Sequence, residues 1–165
     1  MAKKKSWTCV RTLLIVAEGY HDEAFLRHVR GFNEVRGCGK VISIRNARGK
    51  GALGVINQTV RFCMNTSYDE VAVLFDTDTD WTSEAQRIAE DHNFVLLKSE
   101  PCFEALLLRT INVRPKGDLK KQLAPFVNNN PMEPSHFGMH FGLAALQSAR
   151  LEEPTINALL ELLNL

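Results

Sequence analysis

Four short apolar runs recur along the first two thirds of the chain: Thr12–Ala17, Val41–Arg45, Val71–Phe75 and Val95–Ser99. Thr12–Ala17 and Val71–Phe75 show no polar alternation and read as strands buried on both faces, the kind found in parallel sheets. Each run is followed by a helical pattern. Ala24, Phe25, Leu26 and Val29 predict a helix from His21 to about Gly31. Val55, Ile56, Thr59, Val60, Phe62 and Cys63 predict one to about Met64, and a third spans Thr82 to about Asp91. Ser99 and Pro101 are start signals for a fourth, very apolar helix through Leu108. Strand–helix units in series, joined by right-handed crossovers, imply an α/β fold: a Rossmann-like central parallel sheet of about four strands flanked by helices.

Past Arg109 the pattern changes. Arg114–Gly117 is a break, Asp118 to about Phe126 reads as a short helix, and Asn128–Pro134 as a loop. Leu143, Leu146 and Leu151 mark another helix, and Pro154 opens a last one with Ile156, Leu159, Leu160, Leu162 and Leu163 on its apolar face. The expected organisation is a basic tail over 1–10, an α/β core over 11–110, and a helical extension over 111–165 packed on that core.

At 165 residues with 45% hydrophobic content the chain can bury one good core. A net charge of +1 means there is no global basic field announcing nucleic acid, which leaves only local basic patches. Cys9, Cys38, Cys63 and Cys102 are scattered without metal or redox spacing, which points to reduced thiols and a cytoplasmic protein. No apolar run is long enough to span a bilayer, so no membrane partner is expected. Lys3-Lys4-Lys5 precedes an apolar run too short for a signal peptide and reads as a disordered tail.

The candidate chemistry lies where the strands end. Val71–Phe75 runs straight into Asp76-Thr77-Asp78-Thr79-Asp80. Side chains on an extended chain alternate, so Asp76, Asp78 and Asp80 are expected on one side. Crowded carboxylates repel: either their pKa values rise or a cation sits among them, and oxygen-only ligands suit Mg²⁺ or Mn²⁺. The competing reading is a solvated acidic turn. Glu18, the Arg48–Gly51 loop and Glu104 each follow a different strand, and in a parallel sheet all these positions share the carboxyl edge, where ligands bind. That coincidence favours the metal site. The basic, glycine-bearing loop Asn46–Gly51, opening a helix, is a natural anion site but not a Walker A loop.

Glu18-Gly19 after the first strand and Asp76-Thr77-Asp78 after a later one resemble the paired motifs of Toprim domains, with Asp80 in the place of the optional third acid. Asp22 resembles the extra acid of the OLD-type nuclease branch. Ser99-Glu100-Pro101-Cys102-Phe103-Glu104 resembles the helix signature of RloB-like proteins, with Glu100 where that signature has Asn. The resemblance implies a Toprim-like sheet, metal-dependent phosphodiester chemistry on DNA or RNA, and a role in phage defence or mobile-element biology. No tyrosine-bearing cleavage domain or zinc ribbon accompanies it, which leaves a stand-alone nuclease, with a protein partner or homodimer as further expectations.

On this reading one or two Mg²⁺ or Mn²⁺ ions neutralise the phosphate and position water. Asp76 and Asp78 hold the principal ion; Glu104 and Asp80 complete its shell or hold a second ion with Asp22. Glu18 is either a ligand or the general base. Lys50 or Arg48 neutralises developing charge, and Arg45, Lys98 and Lys116 are candidates for backbone phosphates. His136 and His140 read as ordinary loop histidines and Cys102 as a packed thiol. Two rival functions remain. A non-catalytic Mg²⁺-binding module would suit the near-zero net charge. Asp76-Thr77-Asp78-Thr79 also matches the strand-end motif of haloacid-dehalogenase-like phosphatases, but that motif follows a first strand, whereas here two strand–helix units precede it and no downstream Asp-Asp exists.

Overall fold

The structure, a computed structural model, describes residues 10–36 and 39–165, without the side chains of 34–36. The basic tail expected over 1–10 therefore lies, but for Val10, outside the described residues, as do Cys9 and Cys38. The chain alternates β1 (Arg11–Ala17), α1 (Tyr20–Arg36), β2 (Lys40–Asn46), α2 (Gly51–Asn65), β3 (Glu70–Asp76), α3 (Ser83–Asp91), β4 (Val95–Ser99) and α4 (Phe103–Thr110). There follow α5 (Leu119–Leu123), two 3-10 helices over Ala124–Phe126 and Pro134–Phe137, α6 (Leu143–Ala149) and α7 (Pro154–Leu162).

The four strands form one parallel sheet in the order β2-β1-β3-β4. β1 and β3 are central, which is why their apolar runs are buried on both faces. The alternation of side chains then divides the core in two. Leu13, Ile15, Ala17, Ala72, Leu74 and Leu97 face α1, α4 and the C-terminal elements. Leu14, Val16, Val73 and Phe75 face Val55 and Ile56 of α2 and Ala85 and Ala89 of α3. Chain order steps outward from β1 to β2, then restarts on the other side of β1 with β3. The connections therefore diverge between β1 and β3, opening a crevice at their carboxyl ends.

The residues after Arg109 join the first of these cores: Leu123, Phe137, Phe141, Leu146, Ile156 and Leu160 are buried in it. Phe25 of α1 meets Phe103, Phe137 and Phe141 edge-on, with ring centroids at 5.6, 5.4 and 6.1 Å. Each such pair adds ~0.5–1.5 kcal/mol beyond area burial. Thr82 caps α3 by accepting the Ala85 N–H at 3.2 Å, and Asp118 caps α5 by accepting the Lys121 N–H at 3.1 Å.

Three local expectations differ. Helix α1 runs past Gly31 to Arg36; packing of Phe32 against the core offsets the ~1 kcal/mol cost of a helical glycine. The short helix from Asp118 is α-helical only to Leu123 and tightens to 3-10 at Pro125. Leu151 lies beyond the end of α6 and is 87% exposed, so it belongs to no apolar face. Among the described residues no helix is long and apolar enough to cross a membrane.

Candidate functional site

The crevice between β1 and β3 is where the acids gather. β1 runs into Glu18 and β3 into Asp76, and the Asp76 N–H donates to Glu18 Oε2 at 2.9 Å. The Glu18 N–H donates to the Leu74 carbonyl at 3.1 Å, so the edge stays laddered beyond the strands. Asp22 comes down from the first turn of α1 and is 8% exposed. Glu104 stands in the first turn of α4, directly after β4. Asp78 is exposed at the mouth; its N–H donates to the Pro101 carbonyl at 3.1 Å.

These carboxylates feel one another. Burial first, then the charges of Glu18, Asp78 and Glu104, push Asp76 up to about 7, while the Phe103 backbone N–H works the other way. Asp22 is raised well above the carboxylate range by burial, then by Asp76, with Glu18 and Glu104 adding to it against its own backbone N–H. Asp22 Oδ1, Asp76 Oδ1 and Ser99 Oγ are buried oxygens with no hydrogen-bond partner. Each orphaned group costs ~1–3 kcal/mol. A buried, oxygen-only, like-charged donor set with open lone pairs fits a hard divalent cation. Among the described residues no three His, Cys, Asp or Glu side chains form a closed metal cage as they stand, so gripping an ion requires rotation of these side chains.

The structure thus brings together Glu18, Asp22, Asp76, Asp78 and Glu104, but not Asp80. Asp80 has φ 56°, which breaks the extended alternation after Asp76 and turns its carboxylate onto the start of α2. A Cβ on Gly51 would lie 2.9 Å from Asp80 Oδ2, so only glycine admits this approach. Part of the backbone of the basic loop is committed within the fold. The N–H groups of Ala47, Gly49 and Ala52 are spent on the carbonyls of Ala17, Glu18 and Thr79, and that of Arg48 on Asn46 Oδ1. The loop also presents cations: Arg48 and Lys50 are exposed on left-handed residues, at φ 61° and 88°.

The proposed phosphate contacts do not form one patch. Arg45 is on the outer strand β2, its guanidinium 5.1 Å from the Phe62 ring. Lys98 is on the opposite outer strand, over Trp81 at 4.8 Å. Lys116 is exposed in the connection after α4, its N–H bonded to Gln122. Both central strands lie between β2 and β4, so Arg45 and Lys98 stand at opposite edges of the sheet, and strand order is a long-range property. His140 packs edge-on against Phe126, and His136 lies in a 3-10 helix. Burial raises the Cys102 thiol, with Glu104 and Asp76 adding to it, which disfavours a thiolate nucleophile.

Three residues beside the acids escape sequence reasoning. Ser99 pairs with Asp76 across the sheet, which only the strand register reveals. His21 and Lys120 line a small cleft with Glu104, placed there by the packing of α5 on α4. His21 is a helix-start residue in the sequence; here Nε2 lies 2.8 Å from Asn130 Oδ1, tying α1 to the C-terminal loop.

One consequence concerns stability. A Cβ on Gly54 would lie 2.4 Å from Lys50 Cβ. Gly54→Ala should therefore lower stability by ~1–3 kcal/mol through overpacking, despite the better helix propensity of alanine. Urea unfolding reads this, and a stability equal to or above wild type would show that Lys50 moves aside freely.

No protein-family model matches the chain, and neither a curated protein nor a solved structure is similar to it at a significant level.

Proposed function

We propose that this protein is a Mg²⁺- or Mn²⁺-dependent phosphodiesterase acting on nucleic acid, with its site at the crevice between β1 and β3. One observation carries the reading: two buried carboxylate oxygens, on Asp22 and Asp76, lack any partner at the ligand-binding edge of a parallel sheet, within a set of five acids. The resemblance to Toprim domains supports it, since the Glu-Gly and Asp-x-Asp motifs stand on adjacent strands. Asp22, Asp76, Asp78 and Glu104 would hold the ion, with Glu18 as a further ligand or as the base.

A divalent ion bound there supplies charge neutralisation at the phosphate and a more acidic bound water. The chain's own residues do the rest. The Asp76 N–H anchors one oxygen of Glu18, fixing the carboxylate that accepts a proton or binds the ion. Burial and the neighbouring acids favour the protonated form of Asp22, which a bound cation would oppose. Lys120 beside Glu104, and Arg48 and Lys50 beyond Glu18, are the cations placed to attract a phosphodiester and offset the acids.

The test is direct. Labelled single-stranded and duplex DNA and RNA are incubated with the full chain in Mg²⁺ or Mn²⁺, and in EDTA. Cleavage of at least one substrate in metal, and none in EDTA, is expected. Metal binding with every substrate intact would point instead to a non-catalytic module.

A further inference from the structure

A second feature lies beside the acids and is not used by them. An open cleft of about 620 Å³ runs between the first turn of α1, the end of β2 and helix α2. Tyr20, Arg45, Arg48, Lys50, Gln58 and Phe62 are among its lining residues. None of Arg45, Arg48 and Lys50 makes an ion pair among the described residues, although Glu23 also lines the cleft. Glu23 is committed elsewhere: Oε1 binds Arg27 at 2.6 Å and Oε2 accepts from Asn46 at 2.9 Å. The cleft is therefore net positive in a chain of nearly zero net charge.

Its shape is held. The Phe62 face beneath Arg45 restrains the guanidinium. Arg48, Gly49, Lys50 and Gly51 all have positive φ, at 61°, 80°, 88° and 66°. Two of these are not glycine, and each left-handed non-glycine residue costs on the order of 1 kcal/mol or more. The strained turn is pinned by the Arg48 N–H to Asn46 Oδ1 bond at 2.7 Å and the Gly49 N–H to Glu18 carbonyl bond at 2.7 Å. The second bond joins the cleft to the acidic edge. Tyr20, only two residues past Glu18, is 55% exposed on the same cleft.

We infer that this cleft binds single-stranded nucleic acid, with an unstacked base on the Tyr20 ring and successive phosphates on Arg45, Arg48 and Lys50, feeding the strand toward the edge formed by Glu18 and Asp76. Exposed aromatic rings serve polymers whose base faces are open, and a duplex hides those faces. A duplex also carries more phosphate charge per length against an edge crowded with carboxylates. The inference deepens the nucleic-acid reading above by naming the form of the polymer, and it rests on that reading for the choice of polymer alone.

The test is done in EDTA, so that cleavage plays no part. Fluorescence anisotropy compares a labelled oligothymidylate of about twelve nucleotides with a duplex of equal length. Single strands should bind at least tenfold tighter. Tyr20→Ala should weaken that binding by about tenfold, with Tyr20→Phe close to wild type, because stacking needs only the ring. Arg48→Gln with Lys50→Gln should lower the slope of log affinity against log salt by about 1.4, at ~0.7 per phosphate contact on a single strand. Equal or tighter duplex binding overturns the inference. So does an unaffected Tyr20→Ala variant, or thymidine monophosphate competing as well as the oligomer, which would make the cleft a mononucleotide site. Failure of either proposal is separable: binding without cleavage in metal sinks the nuclease reading alone, and cleavage without a Tyr20-dependent preference for single strands sinks this one alone.

Discussion

Asp76→Asn is expected to lower metal-dependent phosphodiester cleavage by at least a thousandfold while the protein stays folded. Asp76 is the residue whose charge is felt by, or feels, every other acid of the set. Asparagine keeps the shape and the backbone N–H that holds Glu18, so the local ladder survives. What goes is the negative oxygen at the centre of the donor set. Loss of a metal-held transition state is worth several kcal/mol, and each 1.36 kcal/mol is tenfold in rate. Glu104→Gln should cost about a hundredfold by the same logic, with helix α4 still anchored by buried Phe103, Leu106 and Leu107. Single-turnover cleavage rates, with circular dichroism as the control for folding, decide the matter. An Asp76→Asn variant within tenfold of wild type would remove Asp76 from the site.

The second large effect is on stability without metal. The folded pKa of Asp76 is raised from 3.8 to about 7. Between these values the unfolded chain has released a proton that the folded chain still holds, so stability falls as pH rises through this window. Below pH ~4 both states are protonated and nothing is lost. The span is roughly three pH units, bounding the effect at ~4 kcal/mol, and solvent reaching the half-buried group reduces it to about 2–3 kcal/mol. Asp76→Asn removes this penalty. In EDTA its melting temperature should match wild type near pH 4 and exceed it by roughly 5–10 °C at pH 8. Asp69 is held low by Thr12 hydrogen bonds and slopes the other way, so the difference between variant and wild type is the quantity to read. A variant less stable than wild type at pH 8 would mean that the carboxylate is a structural hydrogen-bonding group.

The α/β core was legible wherever local apolar pattern and sheet burial agree. Val95–Ser99 opens as a short apolar run and is β4 residue for residue. The gathering of Glu18, Asp76 and Glu104 was legible as well, because parallel strands must deliver their carboxyl ends to one edge. What escaped depends on contacts distant in sequence. Asp80 leaves the set because the chain turns left-handed against Gly51 of another element. Ser99 joins it only through its register with Asp76. Lys120 arrives with the packing of α5 on α4, and Arg45 and Lys98 separate because β2 and β4 are opposite edges of the sheet.

Calorimetric titration of Mn²⁺ into the metal-free full chain at about pH 6, a unit below the raised value of Asp76, in buffers of different ionisation enthalpy, bears most directly on whether these acids hold an ion. The arrangement of Asp22, Asp76 and Glu104 predicts saturable binding with release of protons, since Asp76 is largely protonated below its value of about 7 and burial also favours the protonated form of Asp22. It also predicts an affinity at least tenfold weaker in Asp76→Asn, about 1.4 kcal/mol. Binding that releases no protons and is unchanged by Asp76→Asn, or no binding at all, would contradict it.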